Sequence, residues 1–184
     1  IDYLGELRDW LVTRASNLGF AESVDKVIRQ WKFSSPMWKG KPISIIASIQ
    51  INFRSQGDVV SFDITASLAE TMMGQSGLKA FDAVELVDLD DLDAYPEAIK
   101  IVDPIVPKYL MNKNGDKLGV FRFYIDTEGR VRLPHVDRVE GKVDVRLLEA
   151  AQDALEQWQF KPPTSRGRKV IVEVAQPFTF NAES

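Results

Sequence analysis

The chain of 184 residues is 45% hydrophobic with a net charge of -4: enough apolar material for one ordinary core or two small ones, and no general attraction for phosphate backbones, which argues against nucleic acid as a partner. It has no cysteine, which excludes disulfides, zinc thiolate sites and thiol catalysis. No run reaches the roughly 18 apolar residues that a membrane span needs. No signal peptide is visible and the first residue is Ile1 rather than Met, so the sequence reads as a fragment or processed product, with anything that anchors it to a membrane lying upstream.

Ile1, Asp2 and Gly5 read as the close of a strand and a tight turn, and Leu7 to Val12 as the strand that follows. Phe20, Val24, Val27, Ile28 and Trp31 recur at spacings of three and four, the mark of a helix with one buried stripe, which ends before Pro36. From Ile43 the period becomes two: Ile43, Ile45, Ala47, Ile49, Ile51 and Phe53 share one face of a long strand. Arg54 to Asp58 is a turn, and Val60, Phe62, Ile64 and Ala66 alternate on a further strand. Residues 67–93 form an acidic linker, with a strand at Ala83 to Val87 inside it. Its carboxylates lack the glycine and terminal glutamate of a calcium loop, so it reads as solvated rather than metal-binding.

Pro96, Pro104 and Pro107 then hold the chain extended. Val120 to Ile125 and Arg130 to Val136 form a hairpin around the turn Asp126 to Gly129. Asp144 is the expected N-cap of a helix whose buried stripe is Leu147, Leu148, Ala151, Ala154, Leu155 and Trp158. Val170, Val172, Val174, Phe178 and Phe180 line the last strand.

This second half repeats the first. Trp158 to Phe180 superposes without a gap on Trp31 to Phe53, pairing Phe160 with Phe33, Gly167 with Gly40 and Val170 with Ile43. Upstream, Ile125, Asp126, Gly129 and Arg132 fall on Ile1, Asp2, Gly5 and Arg8, with three extra residues in the second copy before its helix. The expected fold is α+β: two tandem units, residues 1–66 and 94–184, each a small antiparallel three-stranded sheet packed on one helix in the order strand, strand, helix, strand. The first copy lacks its first strand. Either Val59 to Ala66 supplies it, as in a circular permutation, or the fragment is cut inside the copy.

The chemistry available is sparse. His135 is the only histidine, with no second histidine or cysteine to complete a site, and it reads as a hairpin residue rather than a base or ligand. No serine stands in a nucleophile elbow, and no phosphate loop is present. Arg166, Arg168 and Lys169, with Lys39 and Lys41, read as solubilising edge charges, and Trp31 and Trp158 as core anchors. No cofactor and no metal is expected, and no enzyme. What remains is the edge of the last strand, which can accept an extended peptide as an added strand, or be covered by the other copy.

The segment Phe121 to Val131 (FRFYIDTEGRV), the helix end Ala154 to Pro162 (ALEQWQFKP), Gly167 and the closing Pro177 to Phe180 (PFTF), entered through Pro104 and Pro107, resemble the C-terminal domain of TonB-family energy transducers. Val106-Pro107 stands where that family usually has Tyr-Pro, and Lys117 where it usually has a glycine. The resemblance covers about Leu89 to Asn181, and in the first copy Ile1 to Phe53. It implies a periplasmic domain, tethered to the inner membrane through an N-terminal anchor and driven there by a motor complex. The partner it implies is a TonB-dependent outer-membrane receptor, captured by its TonB box during siderophore or similar uptake. Carried over, the partner-strand-binding residues are Lys169, Val170, Ile171, Val172, Glu173, Val174, Ala175 and Gln176, with Pro104, Ile105, Val106 and Pro107 nearby. A homodimer is possible. The competing expectation is a non-catalytic scaffolding module of the envelope with another protein partner.

Overall fold

The computed structural model describes residues 1–52, 61–63, 84–106, 108–110 and 118–180, and the chain divides into two compact units, Ile1–Ala83 and Val84–Ser184. The expected turn at Arg54 to Asp58, the linker as far as Ala83, and Pro107 and Lys117 lie outside the described residues.

In the first unit a carboxylate organises the opening turn. Asp2 accepts from the amides of Leu4 and Glu6, both at 2.9 Å, and Gly5 sits at φ 86°, where a side chain would meet the carbonyl of Phe33 at 2.5 Å. Only glycine fits there. Helix α1 (Leu18–Ile28) starts on Asn17, whose side chain accepts from the Gly19 amide and so satisfies one of the free donors of the first turn. Of its apolar stripe Ile28 is buried, Val24 and Trp31 are half-buried, and Phe20 and Val27 are 42% and 44% exposed. A hairpin of β1 (Met37–Trp38) and β2 (Lys41–Pro42) turns through Lys39 and Gly40, both at positive φ. Strand β3 (Gln50–Asn52) pairs antiparallel with β4 (Ser61–Asp63).

Two expectations for this unit are corrected. Leu7 to Val12 is not a strand, and of the long strand expected from Ile43 to Phe53 only Gln50–Asn52 is one among the described residues. Alternating apolar residues make a strand only where a second backbone takes the outward amides and carbonyls. Here that partner is brief: Ile1 and Ile45 exchange hydrogen bonds at 3.1 and 2.9 Å, and no ladder continues from them among the described residues.

The second unit holds a longer ladder than any among the described residues of the first. Its elements are β5 (Leu86–Val87), a 3-10 turn at Leu89–Asp91, β6 (Ala98–Lys100), a second such turn at Lys108–Leu110, then β7 (Leu118–Ile125), β8 (Val131–Glu140), helix α2 (Val145–Leu155), β9 (Gln159–Phe160), β10 (Thr164–Ser165), β11 (Arg168–Lys169) and β12 (Ile171–Thr179). The main sheet has the order β5-β12-β7-β8, so the expected three-stranded sheet is corrected to four. β12 runs antiparallel to β7 from Val172↔Ile125 to Thr179↔Leu118, and β5 lies parallel to β12 over Ile171↔Leu86 and Val172↔Val87. β5 lies inside the strand expected at Ala83 to Val87; its parallel pairing with β12 is what the expected three-stranded sheet lacked.

Helix α2 starts on Asp144, whose carboxylate accepts from the Arg146 amide at 3.0 Å, as the sequence predicts. Its stripe Leu147, Ala151 and Leu155 closes over Phe121, Phe123, Ile125 and Val172 from the sheet, with Trp158, Phe160 and Phe180 at the margins. Each large side chain so buried contributes on the order of 2 kcal/mol. The hairpin between β7 and β8 repeats the turn of the first unit. Asp126 accepts from Glu128 and Arg130 amides at 3.0 and 2.9 Å, and Gly129, at φ 79°, lies hard against the carbonyl of Phe160. The Asp126 carboxylate is buried, but Arg130 and Arg132 stand 2.9 and 3.6 Å from it, which offsets the loss of water.

Candidate functional site

The sheet has two outer strands, and the sequence blunts one of them. β8 carries two register shifts against β7, one between Phe121 and Val120 and one between Arg122 and Tyr124. At the second, Leu133 takes φ 51° next to Pro134. Bulges and a proline twist an edge away from further pairing and remove a donor. On this edge His135 has a backbone partner, its Nδ1 3.0 Å from the Leu133 carbonyl. Among the described residues no group of three or more His, Asp and Glu is placed to hold a metal ion.

The other side belongs to β12. The amide of Ile171 donates away from β7, to the Glu85 carbonyl at 2.8 Å. Backbone groups alternate along an antiparallel strand, so Glu173, Ala175, Pro177 and Thr179 also turn theirs outward, while Val172, Val174, Gln176 and Phe178 serve β7. Pairing with β5 ends at Val172↔Val87. Beyond it, no strand among the described residues lies along β12. Pro177, which has no N–H to give, falls on the outward register, where a strand tolerates it. The Gln176 side-chain amide donates to the Pro177 carbonyl at 2.9 Å, so the open part of the edge centres on Ala175.

Of the residues expected to take a partner strand, Lys169 lies in the hairpin β10-β11 and the Val170 amide donates to Pro163. Ile171 and Val172 lie beside β5, and Glu173, Val174, Ala175 and Gln176 run along a stretch that no described strand covers. Pro104, Ile105 and Val106 belong to no strand. Val102 and Val106 pack on the core, and the Trp158 indole Nε1 donates to the Val102 carbonyl at 2.8 Å, while Ile105 is 91% exposed.

On the solvent face beside the edge, Arg122 bridges Asp137 at 3.1 Å and Glu173 at 3.5 Å. Burial, then the charge of Glu173 and a hydrogen bond to it, hold the Tyr124 phenol above its usual range, so it stays a neutral donor. The basic turn is occupied as well. Asp93 accepts from the amides of Arg166 and Gly167 at 2.7 and 2.9 Å, Arg168 pairs with Glu85 at 3.3 Å and Lys169 with Glu128 at 3.8 Å. Sequence reasoning passed over Glu85 and Asp93 because acidic residues in a row look like a solvated linker. Pro177 inside an alternating apolar run was a usable signal, since it marks an edge.

Residues 118–182 match the family model of the Gram-negative bacterial TonB protein C-terminal. The match opens with β7 and runs through β12, so this segment is similar to that domain. No curated protein matches the chain. TonB C-terminal domains serve energy transduction in the Gram-negative envelope, work in the periplasm, interact with outer-membrane receptors and are not catalytic. Among the described residues no helix is long and apolar enough to cross a membrane.

Proposed function

We propose that the TonB C-terminal segment of this chain binds an extended segment of an outer-membrane receptor, the TonB box, as a strand added to β12, and so couples inner-membrane energy to nutrient uptake such as that of siderophores. The observation that carries this is the outward backbone of β12 beyond Val172, along which no described strand lies around Ala175, while the opposite edge is bulged. The expected site Lys169 to Gln176 then divides into a part that already has neighbours and a part, Glu173 to Gln176, that is open, with Pro104 to Pro107 as the extended entry. The motor complex would act through an anchor upstream of Ile1, with the domain in the periplasm and tethered to the inner membrane.

The first unit, on this reading, is a second copy, residues 1–66 against 94–184, joined by 67–93. Supporting it are the paired turns at Asp2 and Asp126, glycines at positive φ at 5 and 129 and at 40 and 167, and the Ile1–Ile45 exchange, which falls on Ile125↔Val172. A scaffolding role with another envelope partner is the second reading, favoured by one observation: β5 already covers the start of β12.

The test is an NMR titration of the chain with synthetic N-terminal segments of outer-membrane receptors. The expected result is saturable amide shifts centred on Glu173 to Gln176, lost in Ala175→Pro, which removes an outward donor and leaves the β7 ladder whole. If no segment shifts these amides in the folded chain, the receptor reading fails.

A further inference from the structure

β5 holds the edge that the proposed partner needs. It meets β12 over two residues only, Ile171↔Leu86 and Val172↔Val87, in the parallel sense, which is the less stable pairing per residue. Leu86 is 38% exposed, so little apolar area holds it down. The chain then leaves the sheet at Asp88 for the turn Leu89–Asp91. What keeps the segment near is its downstream moorings. The Ser165 hydroxyl donates to the Asp91 carbonyl at 2.6 Å, the Asp93 amide donates to the Thr164 carbonyl at 2.8 Å, and the Asp93 carboxylate caps the turn at Arg166 and Gly167. The contact is thus built in two parts: a firm clamp at Asp91 and Asp93, and a short strand beyond it fixed by the Ile171 amide and the exposed pair of Arg168 with Glu85 at 3.3 Å.

Unpaired, β12 would present outward groups from Ile171 to Thr179, interrupted only at Pro177. With β5 in place, the first part of that row is taken and the free part is short. A partner strand can use the whole row only by displacing Glu85 to Val87, and the clamp at Asp93 lets those residues leave without unfolding the turn that holds them.

We infer that Glu85–Leu86–Val87 is a built-in competitor of the partner strand: the chain's own segment occupies the addition edge and is exchanged for the partner on binding. This rests on the reading of β12 as a strand-addition edge, and it adds regulation to it. A segment tethered this closely acts at an effective concentration on the order of millimolar. An external strand therefore meets an occupied site, and its apparent affinity falls by the fraction of time the edge is open.

The experiment uses the full chain and, as probe, a free peptide of residues 82–89, the competitor's own sequence. In Val87→Pro the β5 strand loses the amide that a ladder requires, and the edge opens. The peptide is expected to bind this variant about tenfold or more tighter than it binds the parent chain, with shifts at Ile171 and Glu173. Preserved Trp158 indole and Phe123 amide signals establish that the variant is folded. A second measurement needs no variant: in the parent chain, the Ile171 amide, which faces β5, is expected to exchange with solvent at least about a hundredfold faster than that of Val172, which faces β7. Equal peptide binding by both proteins, no binding by either, or exchange of Ile171 only at the rate of Val172 would overturn the inference, since each makes β5 a permanent fourth strand. If the variant captures its own peptide while no receptor segment binds either protein, the competitor stands and the receptor reading falls.

Discussion

Helices α1 and α2 have 11 residues each and start on a side-chain cap, from Asn17 and from Asp144. Their fates differ. α2 buries Leu147, Ala151, Ala154 and Leu155, whereas α1 buries Ile28 alone and leaves Phe20 and Val27 exposed. Local propensity and capping are thus alike, and the difference comes from what lies opposite. α2 covers a sheet in which β7 and β12 pair over eight residues each. The described part of the first unit offers only the Ile1–Ile45 exchange and two short hairpin pairs. An amphipathic stripe says where a helix can be buried; a completed sheet decides whether it is.

The comparison is broken most severely at the glycines of the two turns. In Gly129→Ala the new methyl overlaps the Phe160 carbonyl at a positive φ, with an expected loss on the order of 3 kcal/mol. Gly5→Ala meets a slightly more distant carbonyl in a less buried unit and is expected to cost less. Thermal unfolding followed at the Trp158 indole signal and at Trp31 reads the two units separately, and equal losses would mean that both turns carry the same load. Next come the helices at matching positions. Leu155→Ala, in a fully buried site, is expected to destabilise by about 3 kcal/mol, and Ile28→Ala by about 1 kcal/mol, since its neighbours already face water. Denaturant titration checks this, and a large effect at Ile28 would reveal a better-packed first unit.

The smallest effect is on pH. Hydrogen bonds from the backbone amide of Gly167 first, then from Thr164 and Arg166, hold the Asp93 carboxyl below its usual 3.8. A depressed folded value means a contribution that is present above the unfolded value and lost as pH falls through the folded one. The Arg166–Gly167 amide signals are therefore expected to hold down to about pH 4 and to move only below it. Among the described residues no such carboxylate caps Lys39 and Gly40, so the hairpin of the first unit is expected to stay level over the same range. A shift of both hairpins together would point to general acid unfolding.

How much of this was legible follows from range. Asp144 as a cap, the stripe ending at Trp158 and the turn at Asp126 are local patterns, readable within one or two turns of chain, and each stands where the sequence predicts it. Leu7 to Val12 has the composition of a strand but no strand, because its pairing depends on residues far away. β5 falls inside the strand expected at Ala83 to Val87, but its place beside β12 was not legible for the same reason: its neighbours Ile171 and Arg168 lie far along the chain. The bulge at Leu133–Pro134 is likewise set by the register of β7. At the site, the strand was legible and its occupancy was not.

One consequence of the parallel β5-β12 pair is mechanical. Ladder bonds lie across the strands, so tension that enters along the axis of a strand beside β12 loads all of them together, in shear, and they resist as a set. Tension at right angles opens them one after another, like a zip. A strand beside β12 is therefore held most firmly against a pull along its own length, and peels readily when lifted from the side.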